Sequence, residues 1–123
     1  MYSLFLDHSF SREVLALFKD KTLCEEAILS RTMGEHPSFV WQGMLEASGI
    51  KLYEVDFFVC GTGPGSYTGM RGAASTVKAV AFALDKPIVS ASSLLLLCPW
   101  VDGSYLLVKD AKIAGFYAQS ACV

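Results

Sequence analysis

The chain has 123 residues, of which 53% are hydrophobic, and ten basic against twelve acidic side chains give a formal charge of −2. That length suits one domain with ample material for a core, and its basic residues stand singly or in pairs, which excludes the basic stripe of a stand-alone nucleic-acid binder. Cys24, Cys60, Cys98 and Cys122 form no CxxC pair and MYSLFLD lacks an export-signal pattern, so free thiols in a reducing cytoplasm are expected.

Three short apolar segments come first, Tyr2 to Asp7, Val14 to Lys19 and Thr22 to Leu29, separated by Ser9 to Arg12 and by Asp20-Lys21. They read as an antiparallel meander. After Gly34-Glu35-His36-Pro37, Ser38 to Ser48 places Val40, Trp41, Met44 and Leu45 on one helical face, with Ser38 as N-cap and Gly49 as the stop. Asp56 to Cys60 is a nearly continuous apolar run, as expected of a strand covered on both faces.

The glycine-rich stretch GTGPGSYTGMRGAAS then leads into a helix over Thr68 to Leu84, and Asp85-Lys86-Pro87 breaks it before a strand at Ile88 to Ser90. Ser92 or Ser93 can cap a short helix through the leucines, which Pro99 ends. The run IVSASSLLLLCPWV contains serines and falls short of the roughly 20 residues that span a bilayer, so no membrane role is expected. Tyr105 to Lys109 and Gly115 to Gln119 are two last strands, turning around Asp110 to Ala114. The order βββαβαβα followed by ββ predicts an α/β fold with a mixed sheet. The terminal pair buries too little to stand alone; it leans on the first sheet or opens a second lobe.

Gly61, Gly63 and Gly65 raise the question of a phosphate. No register supplies the lysine of a P-loop, and a dinucleotide pattern would need a third glycine where Ser66 or Thr68 stands. A hydrolase elbow around Ser66 has Pro64 where glycine belongs, and both histidines, His8 and His36, precede that serine. His36 has Val40 at i+4, so no zincin-like metal pair forms, and no metal site is expected. The glycines most simply permit sharp turning and close approach, although the start of the helix can also attract an anion. Asp7, with Ser9 beside it, either positions metal or water near a phosphate or accepts hydrogen bonds from the turn Ser9 to Ser11. Cys60 reads as an inert core thiol.

The following helix carries Gly69, Gly72, Ala73, Thr76, Ala79, Val80 and Ala83 at three- and four-residue spacings. Small side chains allow short interaxial distances. One such face must pack within the chain; a second would suit another protein.

GTGPGSYTGMRGAASTVKAVAFALDKPIVSASSL resembles the signature of the TsaB (YeaZ) family, a GxGPGSFTGxRxG-like loop followed by a small-residue helix, a Pro-aliphatic strand and a Ser-Ser/Thr-Leu helix start. LFLDHSFSREVLALF is similar to that family's first hairpin, His36 to its histidine, and LLVKDAKIAGFYAQS to its IDAR-x-GEVY-type segment. The resemblance implies an actin-like, ribonuclease-H-like fold of two lobes. Members are longer than this chain, so 1–100 is expected to be a first lobe bearing the loop and 101–123 the start of a truncated second.

It also implies a function: a non-catalytic partner of a TsaD-like catalytic subunit in forming N6-threonylcarbamoyladenosine at tRNA position 37. A TsaE-like ATPase and the tRNA are reached through the complex, and a homodimer is the alternative assembly. By the same resemblance the loop motif is Gly61, Gly63, Pro64, Gly65, Ser66, Thr68, Gly69 and Arg71, and the partner face is His36, Val40, Met44, Gly72, Thr76, Ala79 and Ala83. Asp7 and Ser9 would be a vestigial phosphate turn, since Asp7-His8 replaces the family's Asp-Thr, and Gly72-Ala73 and Lys112 also depart from its pattern. No cofactor is expected to be required and ATP or ADP binding is expected to be weak or absent. The rival reading is a vestigial nucleotide-binding hydrolase or peptidase-like enzyme using Asp7.

Overall fold

A computed structural model describes residues 1–30, 36–113 and 115–123. The three short apolar segments make the meander: Tyr2–Asp7 (β1), Arg12–Lys19 (β2) and Thr22–Ser30 (β3) pair antiparallel in sequence order. β2 begins two residues earlier than expected, because Arg12 and Glu13 pair with Ser30 and Leu29 beyond the end of β1. Phe57–Gly61 (β4) and Ile88–Ala91 (β5) then add in parallel, giving one five-stranded mixed sheet in the order β3-β2-β1-β4-β5. This is the mixed α/β architecture expected from the sequence.

Two helices lie on one face of the sheet. Leu4 and Leu6 are flanked in register by Leu17 and Leu15 on β2 and by Phe58 and Cys60 on β4, and all six join Trp41, Met44, Leu45, Ala73, Val77 and Ala81 in one core. Trp41 ties the first helix down, tilting its ring against Phe58 at 5.8 Å and donating its indole N–H to the Phe5 carbonyl at 3.4 Å. The second face differs from the expectation that β4 is covered on both sides. Phe57 and Val59 there are only half-buried and Val89 is exposed, since both helices occupy the other face.

The first helix, Pro37–Ala47 (α1), has its cap two residues before the expected one. His36 takes that role: its Nδ1 accepts from the Ser38 N–H at 3.3 Å, and Pro37 occupies the first turn, where a missing N–H costs nothing. Gly49 stops it as expected, with φ at +67°, a conformation in which a side chain would be strained. The expected break at Gly34-Glu35 lies outside the described residues. The second helix, Tyr67–Ala83 (α2), begins at the Ser66 cap. Two 3₁₀ segments complete this unit; Leu52–Glu54 was not anticipated, and Ser93–Leu97 replaces the short α-helix read through the leucines.

Ser104–Asp110 (β6) and Phe116–Cys122 (β7) form a separate antiparallel two-stranded sheet. Ala114, part of the expected turn, lies outside the described residues. The hairpin leans on the first unit: Leu107 is buried, Ser92 donates its hydroxyl to Gln119 Oε1 at 2.5 Å, and Lys109 reaches the glycine loop. No described helix is long and apolar enough to cross a membrane.

Candidate functional site

The glycine loop closes around the end of β1. Asp7 is 1% exposed, Ser9 2% and Ser93 fully buried, and among the described residues no buried side-chain polar atom lacks a hydrogen bond. Asp7 Oδ1 accepts the Ser9 N–H at 2.6 Å and Asp7 Oδ2 accepts the Ser93 hydroxyl. A hydroxyl has one proton to give. Having given it to the carboxylate, Ser93 Oγ accepts from the Gly63 N–H at 2.8 Å and from the Ser9 hydroxyl at 2.8 Å. The Gly63 carbonyl in turn accepts the Ser93 N–H at 2.8 Å.

This packing explains the glycines. A Cβ on Gly61 would lie 1.8 Å from Asp7 Oδ2, and one on Gly65 would lie 1.9 Å from the Ser9 carbonyl oxygen. Gly63 has φ at +84°. Close approach and backbone freedom, both read from the sequence, are what the turn uses.

The loop's donors are also largely engaged. Thr62 N–H goes to Ala91 O at 2.9 Å, Gly63 N–H to Ser93, Ser66 N–H to Ser9 O at 2.8 Å and Gly69 N–H to the capping Ser66 Oγ at 3.2 Å. A phosphate cradle needs such groups pointing at its ligand. Here these four are engaged within the chain. Cys60, next to this network, has its thiol pushed up by burial and by the Asp7 charge, with Lys78 opposing, so the protonated form persists. Among the described residues no group of three or more metal-ligating side chains converges.

α2 carries two small-residue faces. Gly69, Ala73, Val77 and Ala81 turn inward to the sheet. Gly72, Ala79 and Ala83 are exposed, with Thr76 half-buried between them, and a Cβ on Gly72 would meet nothing within 4 Å. Phe82, 90% exposed, and Phe39 on α1, 71% exposed, add large apolar side chains, and a groove of about 460 Å³ along α1, with Val80 of α2 at its side, mixes Trp41, Leu45 and Ile50 with Gln42, Glu46 and Lys51. Arg71 is exposed and stacks over the Tyr67 ring at 5.5 Å, while Thr68 faces solvent and Pro64 is half-buried.

Of the other residues expected at a partner face, His36 is exposed and caps α1, and Val40 is half-buried. Met44 is only 6% exposed and belongs to the core, because the i, i+3 spacing that put it beside Trp41 points both at the sheet. The local sequence marks Ser93 only as a helix cap. Its signal was available: β4 and β5 run parallel, so the residues after each meet at one sheet end, as Gly63 and Ser93 do. Lys109 and Gln119, which tie the hairpin on, carry no local pattern.

Comparison with known proteins follows the same lines. The profile of the family described as "TsaD: tRNA N6-adenosine threonylcarbamoyltransferase" matches residues 28–114. A Haemophilus influenzae protein named tRNA threonylcarbamoyladenosine biosynthesis protein TsaB is 41% identical over 51 residues, which are 42% of this chain and 22% of that protein. The solved structure of YeaZ from Pseudomonas aeruginosa superposes with a TM-score of 0.86 at 25% identity, covering 99% of this chain and 60% of its own. A second, described as an uncharacterized protein with similarity to peptidase YeaZ from Pseudomonas aeruginosa, gives the same TM-score and identity and covers 59% of its own chain. This chain thus spans about three fifths of the solved relatives and less of the curated one. A match across most of the sequence and a superposition over nearly all of it agree with the actin-like, ribonuclease-H-like fold, and the chain belongs to the TsaD family in its TsaB/YeaZ branch.

Proposed function

We propose that this chain is a non-catalytic partner subunit in tRNA N6-threonylcarbamoyladenosine formation, docking a TsaD-like catalytic subunit through the outward face of α1 and α2. The observation that supports this reading is the second small-residue stripe, Gly72, Thr76, Ala79 and Ala83, which the chain's own sheet does not use. A partner helix can approach such a stripe closely, and Phe82 on the same helix and Phe39 on α1 are exposed large apolar side chains. The glycine loop fixes where α2 starts. No cofactor is required for that role, and loop donors engaged within the chain favour weak or absent nucleotide binding. A TsaE-like ATPase and tRNA are met only through the complex, and the cytoplasm is where that work takes place.

The buried, doubly engaged Asp7 supports the non-catalytic reading over a hydrolase or peptidase that would use it, because a general base must reach substrate. The β6–β7 hairpin, a sheet separate from the five-stranded one, fits the opening of a second lobe. The test is co-purification of a TsaD-like protein with Gly72→Leu and Ala79→Trp. Both positions are exposed, so the variants should fold like the parent and lose the partner. Retention of the partner by both would refute the docking face, and self-association lost in its place would favour a homodimer.

A further inference from the structure

β6 alternates, with Leu106 and Val108 exposed and Tyr105, Leu107 and Lys109 turned inward. Lys109 ends in an unusual setting. Its Nζ donates to the Pro64 carbonyl at 2.9 Å and to the Ser9 carbonyl at 3.3 Å, and it lies 4.0 Å from the centre of the Phe10 ring. Among the described residues no salt bridge reaches it. Carbonyl oxygens and an aromatic face are what a cation takes when no counter-ion is at hand. Burial lowers the Lys109 amine from its ordinary value, and Lys112 adds to this while the Asp7 charge opposes it; the cost of burying the ammonium is what its carbonyl and ring partners offset.

We propose that Lys109 is a tethered cation that clamps the β6–β7 hairpin to the glycine loop, its ammonium held between the carbonyls of Ser9 and Pro64 and the ring of Phe10. Those carbonyls sit at a junction. Ser9 O also accepts the N–H of Ser66, the cap of α2, and Pro64 lies between Gly63 and Gly65. One ammonium therefore joins the hairpin, the β1–β2 turn and the start of α2. The stem of the lysine contributes packing, but the clamp depends on its donors. This holds whether or not α2 docks a partner.

Amide hydrogen exchange on the full chain tests it. Lys109→Ala should speed exchange at the Ser66 amide and along β6 and β7 by on the order of tenfold, the scale of one charge-assisted hydrogen bond. Added n-propylammonium, which restores the missing atoms, should slow it again. Tetramethylammonium has the charge without the N–H donors and should not. Lys109→Met keeps a stem and lacks the donors, so it should exchange as fast as Lys109→Ala. Parent-like protection in Lys109→Ala, or equal rescue by tetramethylammonium, overturns the clamp. If Lys109→Ala does not fold, Lys109→Met decides alone: parent-like protection there means packing suffices and the proposal fails.

Discussion

The hydroxyl of Ser93 is hydrogen-bonded to the carboxylate of Asp7 across 86 positions of sequence. Parallel pairing of β1, β4 and β5 makes this contact, since it brings the residues after each strand to one end of the sheet. The carboxylate that the rival reading assigns to chemistry is engaged in holding that end together.

Ser93→Ala should therefore be costly. It leaves the Gly63 N–H without its acceptor and removes one donor from a buried carboxylate, and an orphaned buried group costs ~1–3 kcal/mol. Ser92→Ala loses one part-buried bond to Gln119 and should cost less. Urea unfolding of the two variants measures the difference. Equal midpoints would mean that the buried network adds no stability.

Glycines in one motif should respond with opposite signs. Gly65→Ala drives a methyl into the Ser9 backbone, and Gly61→Ala drives one into Asp7; overpacking of this kind costs ~1–3 kcal/mol. Gly72→Ala has open space in an exposed helix and should stabilise by ~0.5–1 kcal/mol. Thermal melts of the three variants should move down, down and up. A Gly65→Ala variant as stable as the parent would show that the loop can move away from Ser9.

These cases show what the sequence made legible. Strand and helix order followed from period and from Gly and Pro breaks, and the glycine motif was recognisable because close backbone approach tolerates no other residue at Gly61 and Gly65. Which side of α2 faced inward was not legible. Small residues occupy both faces, and only the sheet's position separates Gly69, Ala73 and Ala81 from Gly72, Ala79 and Ala83. The His36 cap was missed because imidazole caps a helix less often than the hydroxyl of Ser38, and Pro37 at the first helical position was the stronger clue. Contacts such as Lys109 to Pro64 join distant segments through one side chain, and no periodicity records them.

Truncations on α1 and α2 should separate core from surface. Met44→Ala removes buried volume and should destabilise by ~2–5 kcal/mol. Phe39→Ser and Phe82→Ser alter exposed side chains and should stay within ~0.5 kcal/mol of the parent, while weakening capture of a TsaD-like subunit. Unfolding curves and pull-downs from the same preparations give both readouts. A large loss of stability in Phe82→Ser would place that ring in an internal contact.

Alkaline pH should expose the buried thiol. Burial, then the Asp7 charge, raises Cys60 above the ordinary thiol value of ~8.5, so folded and unfolded forms are both protonated below that value and its contribution is complete there. Above it the unfolded chain ionises first and binds fewer protons than the fold, so stability falls as pH climbs toward the raised value. Lys109, lowered by burial, contributes the opposite slope at alkaline pH, which is why the parent curve alone does not isolate the thiol. The difference between the parent and Cys60→Ala does. Urea unfolding from about pH 7 to about pH 10 should show the parent's advantage shrinking as the solution becomes more basic. Thiol titration should agree, with exposed Cys24 and Cys122 reacting in the native protein and Cys60 only on unfolding. A difference curve that stays flat, together with rapid native-state labelling of Cys60, would mean that its thiol meets solvent and ionises in the fold.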